Sequence, residues 1–175
     1  PNAAMLCSSP CRRLYARAMT DATPLSDIRS QIDTAALRAG RLAGAVDLIA
    51  VSKTRSPEQI RPLLEAGHRS FGENRVAEAE DKWPDLRTGF DGVTLHMIGQ
   101  LQSNKAEDAC RLFDVIHTVD RPSLIKALGK VVADGGNCPP CFLQVNIGEE
   151  EQKGGCAIDD IGPLLERARK AGLTM

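Results

Sequence analysis

The stretch LIAVSKTRSPEQI, Leu48–Ile60, sets a four-residue apolar run against a helix start, with a lysine between them. Leu48 to Val51 read as a buried strand. Ser56 is placed to cap a helix, Pro57 suits the first helical position, and Gln59 completes a capping box. Ile60, Leu63 and Leu64 then mark one helical face, and Gly67 ends it. A lysine at a strand end is ordinarily solvated, because lysine is almost never fully buried unless paired. Lys53 gains a meaning only from the rest of the chain.

The same strand-to-helix rhythm repeats downstream. A short strand is expected around Ser70 and Phe71, with a helix from about Arg75 to Lys82. VTLHMIG, Val93–Gly99, reads as a strand, followed by a helix over about Ser103 to Leu112. VIHTV, Val115–Val119, is the fourth strand, and Asp120 and Pro122 open a helix that the DGG at 134–136 closes. CFLQVNI, Cys141–Ile147, is the fifth strand. A last helix starts near Asp159, with Ile161, Leu164, Leu165 and Ala168 on one face, and stops at Gly172. Leu173 to Met175 look like the start of a sixth strand. An amphipathic helix carrying Leu25, Ile28, Ile32 and Ala36 precedes the first strand and is expected to cover one end of the sheet.

Strands alternating with helices imply a parallel sheet, and continuous apolar runs suit one buried on both faces. Two architectures compete: an open doubly wound sheet and a (β/α)8 barrel. An open nucleotide-binding sheet usually carries a glycine-rich turn after its first strand. Here that turn is SKTRSPE, without glycine, and no G-x-x-x-x-G-K-[ST] occurs anywhere. The barrel is the expected fold.

Composition narrows the function classes. The chain has 175 residues and a formal net charge of -1, with both signs mixed along it and no extended basic stripe for nucleic acid. At 3% aromatic residues it offers no base-stacking platform. No apolar run approaches the length that spans a bilayer. The cysteines at 7, 11, 110, 138, 141 and 156 are irregularly spaced and read as reduced, cytosolic thiols. Cys138 and Cys141 form a C-P-P-C pair, but one pair supplies only two of four structural zinc ligands, and a redox role needs more than the pair. Residues 1–18 carry Arg12, Arg13 and Arg17 and no acid. They read as an upstream leader without fold, Met19 being a natural start, and 19–175 as the domain.

In a barrel, chemistry sits at the carboxyl ends of the strands. Those ends here are Lys53, GEN at 72–74, GQLQSNK at 99–105, Thr118 to Asp120, and NIGEEEQKGG at 146–155. Each has a structural alternative. Asn74 can cap the helix after it. His96 lies inside an apolar strand, where a satisfied core histidine is the commoner finding. Asn104 and Lys105 suit a first helical turn, and the glycines beside Lys153 suit a turn.

The runs AVSKT, FGEN, HMIGQLQSNK and VNIGEEEQKGG resemble the pyridoxal-phosphate homeostasis proteins, single-domain relatives of the alanine racemase barrel. The resemblance covers about residues 25–175. It implies a fold-type III barrel in which Lys53 holds pyridoxal 5′-phosphate as a Schiff base, with Asn74, His96 and Asn146 near the cofactor ring. An amine must be neutral to attack an aldehyde, and desolvation in a barrel mouth or the nearby Arg55 would favour that form. The resemblance further implies a cytoplasmic, monomeric protein serving vitamin B6 and amino-acid balance, with pyridoxal phosphate, PLP-dependent apoenzymes or amino acids as partners, and neither nucleic acid nor membrane.

Two departures stand out. The family's usual SKTKP is here SKTRSP, with Arg55 in place of lysine and the proline displaced to Pro57. Five strand-helix units and the start of a sixth are visible where a barrel has eight, so the chain reads as C-terminally incomplete, without the phosphate-gripping loops of the last strands. The only tyrosine is Tyr15, in the leader, so a second acid/base for racemisation is not evident. A racemase-like enzyme acting through Lys53, or an aldolase-type lysine, are the competing readings.

Overall fold

The computed structural model describes residues 24–150 and 152–175. The expected leader, 1–18, lies outside them. The chain divides into two units, Pro1–Leu48 and Ile49–Met175. In the first, the amphipathic helix forms as α1, Pro24–Arg38. Leu25 and Ala36 are buried, whereas Ile28, expected on the apolar face, is exposed.

The second unit alternates strand and helix throughout: β1 Ala50–Val51, α2 Pro57–Glu65, β2 Ser70–Glu73, α3 Val76–Gly89, β3 Thr94–Met97, a 3-10 turn Ser103–Lys105 running into α4 Ala106–Leu112, β4 Val115–Val119, α5 Pro122–Ala133, β5 Cys141–Leu143, and a 3-10 turn Ile158–Asp160 leading into α6 Ile161–Lys170. All five strands are parallel and lie in the order β1-β2-β3-β4-β5. The order never reverses, so the sheet has no switch point of the doubly wound kind.

Register explains the two faces. Ala50 pairs with Phe71, Phe71 with Leu95, Met97 with Ile116, and Ile116 with Cys141. This row packs against the helices, where Leu64, Trp83, Leu86, Leu124 and Leu128 are fully buried. Phe71 and Trp83 meet with ring centroids 5.0 Å apart. The other face carries Val51, Gly72, His96, His117 and Phe142. A sheet buried on both sides was expected from the apolar runs. Instead Val51 is 52% and Phe142 56% exposed, because no second layer covers this face among the described residues.

Several boundaries move for physical reasons. The helix expected to end at Lys82 runs on through Pro84 to Gly89, held by the buried Trp83 and Leu86 beneath it. β1 and β5 are shorter than their apolar runs. Leu173 to Met175 do not form an assigned strand, yet the Thr174 carbonyl accepts the Cys141 N–H at 2.8 Å, as a chain lying beside β5 would. No helix among the described residues is long and apolar enough to cross a membrane.

Candidate functional site at the strand ends

Lys53 follows β1 directly and is exposed. Its turn is tightly built. The Ser52 N–H extends the ladder to the Gly72 carbonyl at 3.0 Å, and the Arg55 N–H closes back on the Ser52 carbonyl at 3.1 Å. Between them Thr54 sits at φ 61, a left-handed conformation that a β-branched residue rarely adopts unless its surroundings impose it. The Gln59 side chain accepts the Ser56 N–H at 3.1 Å, so the expected capping contact fixes the start of α2.

The surroundings are a buried polar network that the sequence concealed. Glu73 is fully buried and Lys82 is 6% exposed. Lys82 Nζ lies 2.8 Å from Glu73 Oε1 and 2.9 Å from Glu78 Oε1. It also donates to the Ser52 carbonyl at 2.9 Å and the Arg55 carbonyl at 3.3 Å, gripping both ends of the lysine turn. Ser52 Oγ and Trp83 Nε1 donate to the same Glu73 oxygen at 2.7 and 3.0 Å. Glu78 accepts the Thr54 N–H, and its hydrogen bond from Lys82 holds its carboxyl below the ordinary value. Lys82 therefore anchors the turn from underneath while Lys53 stays outside it.

Other lysines at the strand ends are engaged. Lys105 Nζ binds Asp108 at 3.0 Å, which raises its pKa and favours the charged form. Lys153 Nζ binds Glu150 at 2.5 Å. Lys53 makes no hydrogen bond or ion pair among the described residues. Its exposure departs from the expected desolvation: the open inner face leaves the amine in solvent here.

Asn74, His96 and Asn146 are placed differently from one another. Continuing the β1–β2 register sets Asn74 level with Lys53. Asn74 is not the cap of α3; Arg75 occupies that position, and the Asn74 amide makes no hydrogen bond among the described residues. It lines a cavity of ≈ 560 Å³ with Arg75, Met97, Gly99, Gln100 and Lys105. His96 pairs with Gly72, two residues deeper, and so about 7 Å below that level. Its Nε2 contacts Ser70 Oγ and its Nδ1 contacts His117 Nε2, both at 2.9 Å. The Asn146 amide braces its own loop, donating to the Glu150 carbonyl at 2.9 Å and accepting the Glu150 N–H at 3.3 Å.

Asp120 organises the far side of the strand ends. Its Oδ2 accepts Gln100 Nε2 and the Gly155 N–H, both at 3.2 Å, and its Oδ1 accepts Arg121 at 2.7 Å. Gly155 has φ 122, and an added Cβ would lie 2.6 Å from the Asn146 nitrogen, which accounts for glycine beside Lys153. Thr118 Oγ1 donates to the Gly99 carbonyl at 2.7 Å. The ends of β3 and β4 and the loop after β5 are thereby tied by side chains.

Residues 25–175 match the family model of the alanine racemase N-terminal domain. The pyridoxal phosphate homeostasis protein of Escherichia coli K12 is 36% identical over 158 residues, covering 85% of this chain and 67% of that protein. The chain belongs to the pyridoxal phosphate homeostasis protein family. The homologue of that name from Pseudomonas aeruginosa PAO1 is 36% identical over 153 residues, covering 86% and 65%. Among solved structures, PipY of Synechococcus elongatus PCC7942 without PLP superposes with a TM-score of 0.68 at 39% identity, covering 79% of this chain and 64% of that one. The same protein with PLP bound gives 0.64 at 38% identity, covering 77% and 61%. The chain thus spans about two thirds of the length of the family members it matches.

Proposed function

We propose that residues 19–175 are the lysine-bearing part of a (β/α)8 barrel of PLP fold type III. In the whole protein Lys53 holds pyridoxal 5′-phosphate through a Schiff-base linkage and serves intracellular PLP and amino-acid homeostasis by binding rather than turnover. The observation that carries this reading is Lys53 itself: it is exposed and unengaged at the end of β1, while Lys105 and Lys153 are tied to carboxylates. The family members' name and the PLP-bound PipY structure support the choice of cofactor.

The residues present suit the aldehyde end of that cofactor. Its aldehyde offers an electrophilic carbon to a neutral amine. Lys53 brings such an amine on a turn that Lys82, Glu73 and Glu78 hold in place. Asn74, level with Lys53 and with a free amide, orients a bound ring. His96 and Asn146 act one layer removed, His96 from below through Ser70 and His117, and Asn146 by holding its loop. The strictly sequential strand order and the open face at Val51 and Phe142 favour barrel closure by further strands.

The test is a titration of the complete protein and its Lys53→Ala variant with pyridoxal phosphate, followed by visible absorbance. The wild type should turn yellow saturably and bleach with borohydride. The variant should show no protein-bound band, with an unchanged far-ultraviolet spectrum. An equal band in the variant would overturn the assignment. Measurable racemisation of amino acids by the wild type would overturn the binding-only reading in favour of an enzyme.

A further inference from the structure

Three polar side chains cross the inner face of the sheet in one row. Ser70 Oγ on β2 lies 2.9 Å from His96 Nε2 on β3, and His96 Nδ1 lies 2.9 Å from His117 Nε2 on β4. Phe142 on β5 extends the row, its ring centroid 4.9 Å from that of His117 at an interplanar angle of 30°. Ser70, His96 and His117 are all half-buried, and burial pushes the His117 pKa down. His117 Nδ1 makes no hydrogen bond among the described residues, so it is the open end of the row.

The row obeys a proton count. Two ring nitrogens in contact form a hydrogen bond only when one proton lies between them. In the neutral pair each ring carries one N–H. When His96 Nδ1–H donates to His117 Nε2, Ser70 donates to His96 Nε2 and His117 keeps its proton on the open Nδ1. When His117 Nε2–H donates to His96 Nδ1, His96 Nε2–H donates to Ser70 Oγ instead. The two tautomers are therefore set together. One added proton leaves every contact intact: one N–H lies between the rings, one points at Ser70 Oγ, and one sits at the open Nδ1. A second added proton sets N–H against N–H across the 2.9 Å contact, on two cationic rings, and the contact must break.

We propose that Ser70, His96 and His117 form an acid-opened latch across β2, β3 and β4, closed while the two imidazoles hold no added proton or one, and opened by the second. The charged groups on the surrounding elements are engaged elsewhere. Glu73 lies on the helix-facing side with Lys82, Asp114 is bonded to Arg87 and Asp120 to Arg121. The Arg69 guanidinium turns to the Leu64, His68 and Asp91 carbonyls. β1 contributes Lys53 at its end, a further cation, and β5 contributes the uncharged Phe142 and Gln144. Two rings in contact titrate as a pair, in separate steps that belong to both. The second step needs a proton concentration at least about tenfold higher than the first. Above it the latch ties three strands together beneath Asn74; below it His117 parts from His96.

The experiment is nitrogen-labelled imidazole NMR of the complete protein, titrated from about pH 8 to about pH 4 to bracket the ordinary imidazole value of about 6.5. At neutral pH a nitrogen–nitrogen coupling through the hydrogen bond should join His96 Nδ1 to His117 Nε2. Both rings should respond together to the first proton with the coupling retained. The coupling should vanish at a second, more acid step while the backbone spectrum of the helices persists. His117→Gln should remove the coupling and leave His96 taking up its proton in one step. No coupling in the wild type at neutral pH, both rings charging in a single step, or loss of the coupling only together with the whole fold would each overturn the proposal. The wild-type titration decides even where the variant folds poorly.

Discussion

Lys82→Met removes the cation from the network beneath the lysine turn. Glu73 is fully buried and would lose its cationic partner, while the Ser52 and Arg55 carbonyls would each lose a donor. Removing one partner of a buried pair costs about 3–5 kcal/mol, because an uncompensated charge remains. For a chain of this size that corresponds to a fall in Tm of roughly 6–20 °C, at about 2–4 °C per kcal/mol. Methionine keeps most of the side-chain volume, so the loss reports charge and hydrogen bonding rather than a cavity. Adding Glu73→Gln should restore part of the stability, since the neutral amide oxygen still accepts from Ser52 and Trp83. Thermal and urea melts of wild type, single and double variants measure it. A single variant within about 1 kcal/mol of wild type, or a double variant less stable than the single, would refute the view that Lys82 neutralises Glu73 and clamps the turn.

Three further outcomes are expected. Gly99→Ala should destabilise by about 1–3 kcal/mol in a chemical melt, since its Cβ would lie 2.2 Å from the Asn74 carbonyl oxygen and 2.5 Å from its Cα, backbone that cannot rotate away; a neutral effect would argue against that close approach. Burial lowers the His117 pKa, so the unfolded chain takes up a proton first as pH falls through the ordinary imidazole value of about 6.5; the contribution is full above that value and is lost on acidification, and His117→Asn should show a smaller loss of stability between about pH 7.5 and 5 than wild type. Asn146→Ala should raise backbone hydrogen exchange at Glu150, whose N–H it accepts, while leaving Cys141–Leu143 protected; unchanged exchange would mean the loop holds without that amide.

Local signals located much of this fold. Ser56, Pro57 and Gln59 mark the start of α2 because each acts within four residues of its partner, and VIHTV matches β4 residue for residue. Pro84 misleads, since proline lacks a helix donor, yet the burial of Trp83 and Leu86 outweighs that local penalty. Asn74 has the composition of a helix cap, but the chain enters α3 one residue later, at Arg75. The site divides in the same way. Lys53 is legible from its place between strand and helix. Lys82 is not: on a helix it looks like one more surface base, and only the parallel pairing of β1 with β2 brings Glu73 beneath Ser52 to receive it. The sequence pattern also implied a sheet covered on both faces, whereas Val51 and Phe142 are exposed because no second layer covers that face among the described residues.

The most direct measurement is peptide mapping of the complete protein after incubation with pyridoxal phosphate and reduction with borohydride. The label should be found on the peptide containing Lys53 and on no other, because Lys105 and Lys153 are held by Asp108 and Glu150 and Lys82 is enclosed with Glu73. A label on Lys105 or Lys153, with Lys53 unmodified, would contradict the account.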